Sequence, residues 1–348
     1  MKIALVAPPL LPVPPVRYGG IERIVGVLAD GLQARGHEVT LFAPGDSHVA
    51  CDLVATVPAG LWNDGFHPEP RPFYERTTEM VLEAAEQFDV IHGHLDQLGF
   101  ELAERSPVPI VSTIHGRTDI DPIAGCISRY SETPLVAISS SQRAFAPSGN
   151  WVAMVHHGLP FDGVTAGTGE GGYLCFVGRL SADKGVAEAV ELARRSGRRL
   201  KIAAKAIAPN EREIYDTVVA PAEREGVVEY LGELDERERD ELFGHALATV
   251  MLSRWPEPFG LVAIESLATG TPVIAARSGA LPEIVVDGTD GFVVADLDAG
   301  AAAVELVARL DRARIRARAL ERFSAARMID SYVGVYERLV SGSAHREL

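Results

Sequence analysis

A chain of 348 residues with 47% apolar and 23% charged side chains fits ordinary globular domains, and its length favours two of them. Net charge is −15; the first 150 residues carry 10 Lys and Arg against 18 Asp and Glu, and the remainder carries −7, so neither part offers the basic surface that nucleic acid or an anionic bilayer requires. Three scattered cysteines (Cys51, Cys126, Cys175) form no CxxC pair and no even-numbered framework, which suits a reducing cytoplasm, and no apolar run reaches the length of a membrane span.

In chain order, the first apolar run could open a signal peptide. It has a single lysine and breaks in a proline cluster (Pro8, Pro9, Pro12, Pro14, Pro15), so residues 3–7 are predicted as a buried strand instead. A loop ending in Tyr18-Gly19-Gly20 follows. Ile21, Ile24, Val25, Leu28 and Leu32 then recur at helical spacing until Gly36, and residues 38–43 read as a second strand. Strand, glycine loop, helix and strand make a βαβ unit with a right-handed crossover. The pattern continues with a helix over 73–87, a strand over 89–92, a short helix over 98–105, and a strand over 110–114 that ends in His115-Gly116. Strands over 135–138 and 152–155 close this half.

Residues 162–172 are rich in Gly and Thr and read as a linker, after which the pattern restarts. A strand over 173–177 leads into Gly178-Arg179-Leu180-Ser181-Ala182-Asp183-Lys184-Gly185. The next helix has Val186, Ala189, Val190 and Ala193 on one face. Strands follow at 200–204, 228–231, 248–252, 272–275 and 291–294. Helices fall at 236–246, 298–322 (Arg-rich) and 329–339. The predicted fold is α/β: two Rossmann-like parallel-sheet domains facing across a cleft. Ligands of such sheets bind beyond the strand C-termini, and the Gly-, His- and Glu-bearing loops all fall there.

One of those loops has a pattern of its own. Trp255-Pro256-Glu257-Pro258-Phe259-Gly260-Leu261-Val262-Ala263-Ile264-Glu265 precedes a helix that Gly270 ends. Pro258 suits the first turn of that helix, Glu257 its approach, and Glu265 its second turn. The N–H groups of Phe259, Gly260 and Leu261 then lie unpaired between two carboxylates. Amides for phosphate and carboxylates for hydroxyls are what a sugar diphosphate needs.

Glu257-Pro258-Phe259-Gly260-(x)4-Glu265 resembles the E-x7-E motif of family-4 retaining glycosyltransferases, which have a GT-B fold. Tyr18-Gly19-Gly20-Ile21-Glu22 is similar to that family's glycine loop. Thr113-Ile114-His115-Gly116 resembles its strand-end histidine, and Gly178-Arg179-Leu180-(x)3-Lys184-Gly185 its diphosphate clamp. Gly279-(x)2-Pro282-Glu283 is similar to a family turn. The resemblance covers nearly the whole chain. It implies an acceptor-side domain over 1–160 with a final helix (328–348) crossing back onto it, a linker over 161–172, and a donor domain over 173–327. It further implies transfer of a sugar from a UDP- or GDP-linked donor to an acceptor hydroxyl with retention, by front-face displacement. Arg179 and Lys184 would neutralise the diphosphate, so that no metal or other cofactor is needed. Glu257 and His115 would contact the sugar, and Glu265 the ribose. Gly19 and Gly20 would let backbone approach the donor, backbone around Leu231–Leu234 would edge the base, and Phe259, Gly260 and Leu261 would line the donor site. Two departures stand out: His157 where the family often carries Asn, and Ala203-Ala204-Lys205 in place of Ala-Gly.

Other readings stay open at this stage. The same site could serve a donor hydrolase or phosphorylase, or a catalytically inactive nucleotide-sugar-binding module. Two motif matches fail on context. Gly167-Thr168-Gly169-Glu170-Gly171-Gly172 matches GxGxxG but precedes a strand, and Asp119-Ile120-Asp121 matches DxD but sits in a loop after His115. His92-Gly93-His94 lacks a third metal ligand. The acceptor is expected at loops near residues 62–74. The expected setting is a cytoplasmic protein with no nucleic-acid partner and no stable membrane insertion, and the sequence leaves oligomeric state open.

Overall fold

Ile3, Ala4, Leu5 and Val6 are wholly buried, as a strand covered on both faces must be. They form β1 (Lys2–Val6) of the computed structural model, which describes residues 1–16, 19–62, 69–205 and 208–344. Tyr18 of the predicted glycine loop and residues 63–68 of the predicted acceptor loops lie outside the described residues.

The chain divides into two units, residues 1–160 with 323–348, and residues 161–322. In the first unit β1 is followed by α1 (Gly20–Ala34), β2 (Glu38–Ala43), β3 (Asp52–Ala55), α2 (Arg71–Ala84), β4 (Val90–Gly93), α3 (Phe100–Arg105), β5 (Ile110–Thr113), α4 (Ile123–Arg129), β6 (Leu135–Ala137), α5 (Ser140–Phe145) and β7 (Trp151–Met154). Its seven strands pair in the order β3-β2-β1-β4-β5-β6-β7, all parallel. Ile24, Val25, Leu28 and Leu32 form the buried stripe of α1, and Gly36, at φ 81°, turns the chain into β2. Three elements escape the sequence pattern: the edge strand β3, half-exposed and without alternation, and the short helices α4 and α5.

The second unit runs β8 (Leu174–Val177), α6 (Val186–Ser196), β9 (Leu200–Ala203), α7 (Pro209–Ile214), α8 (Ala220–Arg224), β10 (Val228–Gly232), α9 (Glu236–His245), β11 (Ala248–Met251), α10 (Leu261–Ala268), β12 (Val273–Ala276), α11 (Leu281–Ile284), β13 (Gly291–Val294), α12 (Leu297–Leu306) and α13 (Arg312–Arg322). Its six parallel strands lie in the order β10-β9-β8-β11-β12-β13. The predicted helix over 298–322 is two, because Leu310 is extended between α12 and α13. Its arginines are structural: Arg312 reaches the carbonyls of Gly167, Gly244 and Ala246, while Arg318 and Arg322 both clasp Asp290.

The Gly/Thr stretch read as a linker is bonded into this unit. The N–H groups of Gly167, Gly169 and Gly171 donate to the carbonyls of Thr269, Gly244 and His245. A Cβ on Gly167 would fall 2.3 Å from the Gly244 backbone, so this glycine serves close backbone packing. The last helix, α14 (Ala325–Ala344), returns to the first unit and packs on α1. Tyr332 and Tyr336, fully buried, are its anchors.

Candidate active site

In the second unit the site is built around Glu257. β11 carries the chain out of the sheet, and a turn from the next crossover holds the loop from behind. Ser278 donates to the Trp255 carbonyl at 2.7 Å, and the Ala280 N–H donates to the Glu257 carbonyl at 2.8 Å. Gly279 sits between them at φ 58°, where a Cβ would lie 2.2 Å from the Glu257 nitrogen. The Gly279-(x)2-Pro282-Glu283 motif is therefore the backrest of the Glu257 loop. Gly279→Ala is expected to cost about 2 kcal/mol or more in urea unfolding, since the left-handed backbone alone costs about 1–2 kcal/mol and the clash is with backbone.

Glu257 is buried, and its carboxylate is nearly saturated. The Lys184 ammonium donates to both oxygens at 2.9 and 2.8 Å, Trp255 Nε1 donates at 3.0 Å, and Ser253 Oγ at 3.3 Å. Lys184 also lies over the Trp255 ring, 4.8 Å from its centroid. The 178–185 and 252–260 loops are joined by backbone as well. Arg254 N–H donates to the Asp183 carbonyl at 2.8 Å, and Gly185, at φ 73°, packs where a Cβ would meet the Leu252 carbonyl at 2.0 Å. Arg179, more exposed, leans on Asp183 at 3.5 Å.

The helix after Glu257 begins later than its sequence suggests. Gly260 adopts φ 105° and caps α10, so the first helical residue is Leu261 and Pro258 belongs to the approach loop. A left-handed residue cannot continue a helix backwards, which is why Pro258 is not in the first turn. Phe259 is buried, and Gly260 packs against Leu281. The N–H groups of Gly260, Leu261 and Val262 have no hydrogen-bond partner among the described residues, as expected at a helix start. Glu265 follows about one turn in, buried, with Arg239 of α9 at 3.2 Å. Arg239 also donates to the Leu234 carbonyl at 3.3 Å. Leu231 and Leu234 pack with Val262 on one apolar cluster, so the strand-end loop after β10, Glu265 and the α10 start form one assembly. Sequence reading missed Arg239; nothing local links it to a carboxylate 26 residues away.

In the first unit His115 ends the stretch after β5. Its N–H and that of Gly116 donate to Asp96 Oδ1, at 2.7 and 3.3 Å. No sequence pattern singles out Asp96 either. It holds φ 46°, a costly conformation for a non-glycine residue, and burial pushes its carboxyl up to about 6. The His115 ring meets His94, Nε2 to Nδ1, at 2.9 Å, and stacks on His157 at 5.2 Å. The family departure at His157 thus lies directly against His115. His92 is held by Tyr336 and Thr113, each at 2.7 Å, and Thr113 by Tyr332 at 3.0 Å. Burial pushes His92 and His115 down to about 3 and holds His94 and His157 well below the usual histidine range, so the rings are neutral near pH 7. His115 Nδ1 has no partner among the described residues.

Gly19 precedes α1, and a Cβ there would fall 2.7 Å from the Pro15 side chain; Gly20 is the first helical residue. Glu22, in the same first turn, is buried, and its carboxyl is pushed up to about 7. The DxD match dissolves into local bonds: Asp119 pairs with Arg117, and Asp121 accepts from the Gly125 N–H at 2.9 Å. Among the described residues no group of three or more His, Cys, Asp and Glu is arranged to hold a metal ion, and no helix is long and apolar enough to cross a membrane.

Two family models tile most of this chain. Residues 18–165 match "Glycosyltransferase Family 4", and residues 166–322 match "Glycosyl transferases group 1". The glycogen synthase of Mycobacterium tuberculosis is 28% identical over 88% of this chain and 86% of its own. D-inositol 3-phosphate glycosyltransferase of Mycolicibacterium smegmatis is 27% identical over 93% and 87%. Among solved structures, AviGT4, a glycosyltransferase involved in avilamycin A biosynthesis, is 28% identical and superposes with a TM-score of 0.73 over 98% of both chains.

Proposed function

Since this chain belongs to the family-4 glycosyltransferases of GT-B fold, we propose that it transfers a hexosyl unit from a nucleotide-diphosphate donor to an acceptor hydroxyl, with retention. The observation that carries this reading is the bidentate clasp of Lys184 on buried Glu257, set beside a helix start with free amides. A surface ion pair would have neither the burial nor the anion-binding amides. In the proposal Arg179 and Lys184 face the diphosphate and stabilise the charge that develops as it leaves, which is the task a metal performs elsewhere. Glu257 accepts from sugar hydroxyls while keeping Lys184 in place. Glu265, oriented by Arg239, accepts from the ribose. The loop at Leu231 and Leu234 edges the base, and His115 is assigned to the sugar as a neutral hydrogen-bonding group. Gly19 and Gly20 give the donor close backbone. Retention follows by front-face displacement, with the leaving phosphate oxygen taking the acceptor proton.

Steady-state turnover of UDP- and GDP-sugars checks this. Glu265→Ala is expected to raise the donor KM by about 10- to 100-fold, the size of one or two hydrogen bonds to a charged group, with Arg239→Leu in the same direction. Wild-type donor KM in Glu265→Ala would remove the ribose assignment. Nucleotide binding with no turnover on any acceptor would mark an inactive binding module.

A further inference from the structure

The first unit carries a pocket of about 430 Å³ between α2, α3 and α4 that no part of the donor site uses. Two hydroxyls on its α2 side lack partners among the described residues. Tyr74 and Thr78, on successive turns of α2, are 8% and 4% exposed, and neither hydroxyl has a hydrogen-bond partner among the described residues. Both side chains line the pocket. Buried hydroxyls are normally bonded within the protein, a helical threonine commonly to the carbonyl one turn back, as Thr77 does to Phe73. Leaving two adjacent ones open is what a site for another molecule's hydroxyls requires. Gln97 adds an amide able both to donate and to accept.

The rim is charged, with one more carboxylate than cations. Arg71 and Arg129 stand against Glu75, Glu101 and Asp121, so no surplus cation awaits a phosphate or carboxylate. The pocket also adjoins the His115 turn. Gln97 follows Asp96, which accepts from the His115 and Gly116 N–H groups, and the neighbour of Pro122, Ile123, packs on Gly116.

Resting on the transferase reading above, we propose that this pocket seats the acceptor, and that the seated end is an uncharged polyhydroxylated molecule, a sugar or polyol without phosphate or carboxylate. Tyr74, Thr78 and Gln97 bond its hydroxyls. The rim carboxylates accept from others.

The test measures nucleoside-diphosphate release from sugar nucleotides with glucose, maltose, glycerol and myo-inositol as uncharged probes, and with glucose 6-phosphate as the charged one. Release stimulated by uncharged probes is expected. Thr78→Val keeps the shape and removes one hydroxyl; Gln97→Leu does the same for the amide. Each is expected to raise the acceptor KM about tenfold, while the donor KM stays within twofold. An unchanged acceptor KM in both variants overturns the pocket assignment, and a preference for glucose 6-phosphate overturns the uncharged class. The transferase reading fails with a different signature: the wild-type protein then shows no thermal shift with UDP, GDP or ADP and no release from any donor, and the acceptor proposal falls with it.

Discussion

Lys184→Met is expected to lower donor turnover by about a thousandfold and to cost about 3 kcal/mol of stability. The first figure is that of a preorganised charge removed from where negative charge develops. The second arises because Glu257 is buried and held by both its oxygens, so deleting the ammonium leaves a carboxylate without its counter-charge. These two effects separate in a double variant. Lys184→Met with Glu257→Gln replaces the pair by neutral groups of similar shape, and Trp255 Nε1 and Ser253 keep an oxygen to bond. Urea unfolding of the double variant is expected to recover most of the lost stability, while turnover stays near the level of Lys184→Met. If turnover returned with stability, the pair would be an ordinary ion pair and the diphosphate assignment would be wrong.

Asp290→Ala is expected to cost about 2–3 kcal/mol, the loss of charge-assisted hydrogen bonds to two half-buried arginines. Asp290 is 1% exposed and takes Arg318 Nε at 2.8 Å and Arg322 Nη1 at 2.9 Å. Arg322 also reaches the Glu283 and Ile284 carbonyls, so one carboxylate fixes α13 to the segment that begins with the Gly279 turn. The effect should be confined to the second unit. Calorimetry is expected to resolve an early transition from that unit and a later one from the first, because the first does not contain Asp290 or its arginines. A single transition at the wild-type temperature would show that the clasp contributes nothing.

Much of this was legible in the residues because the strands are covered on both faces. Such strands read as apolar runs, and β2 and β13 fall at their predicted bounds. The amphipathic helices α1 and α6 were readable by their buried stripes, and the end of α1 by Gly36. What the pattern could not carry is pairing at a distance. Lys184 and Glu257 are 73 residues apart, and they meet because β8 and β11 are neighbours in the sheet, which delivers their loops to one end. The same holds for Arg239 with Glu265, and for Asp96 beneath His115, 19 residues on. No local rule proposes these partners. Short helices were lost for another reason: α4, α5, α7, α8 and α11 have four to seven residues each, too few for a period to register. Gly260 was named as a residue to expect near a donor, yet its backbone angle shifted the helix start, since composition does not reveal which glycine is left-handed.

The position of α14 bears on how the protein is made. The second unit is a continuous stretch, 161–322, whereas the first needs residues from beyond it. Domains of a nascent chain usually complete in order of synthesis. Here that order is inverted. The opening domain leaves the ribosome with His92 lacking Tyr336, and Thr113 lacking Tyr332. The groove on α1 that receives Ile329 is likewise bare until α14 emerges, and Gly31, against which Ile329 packs, has no side chain to cover it. The second domain can finish while the first still waits for its last helix, and until then the α1 face that receives Ile329 lacks its cover.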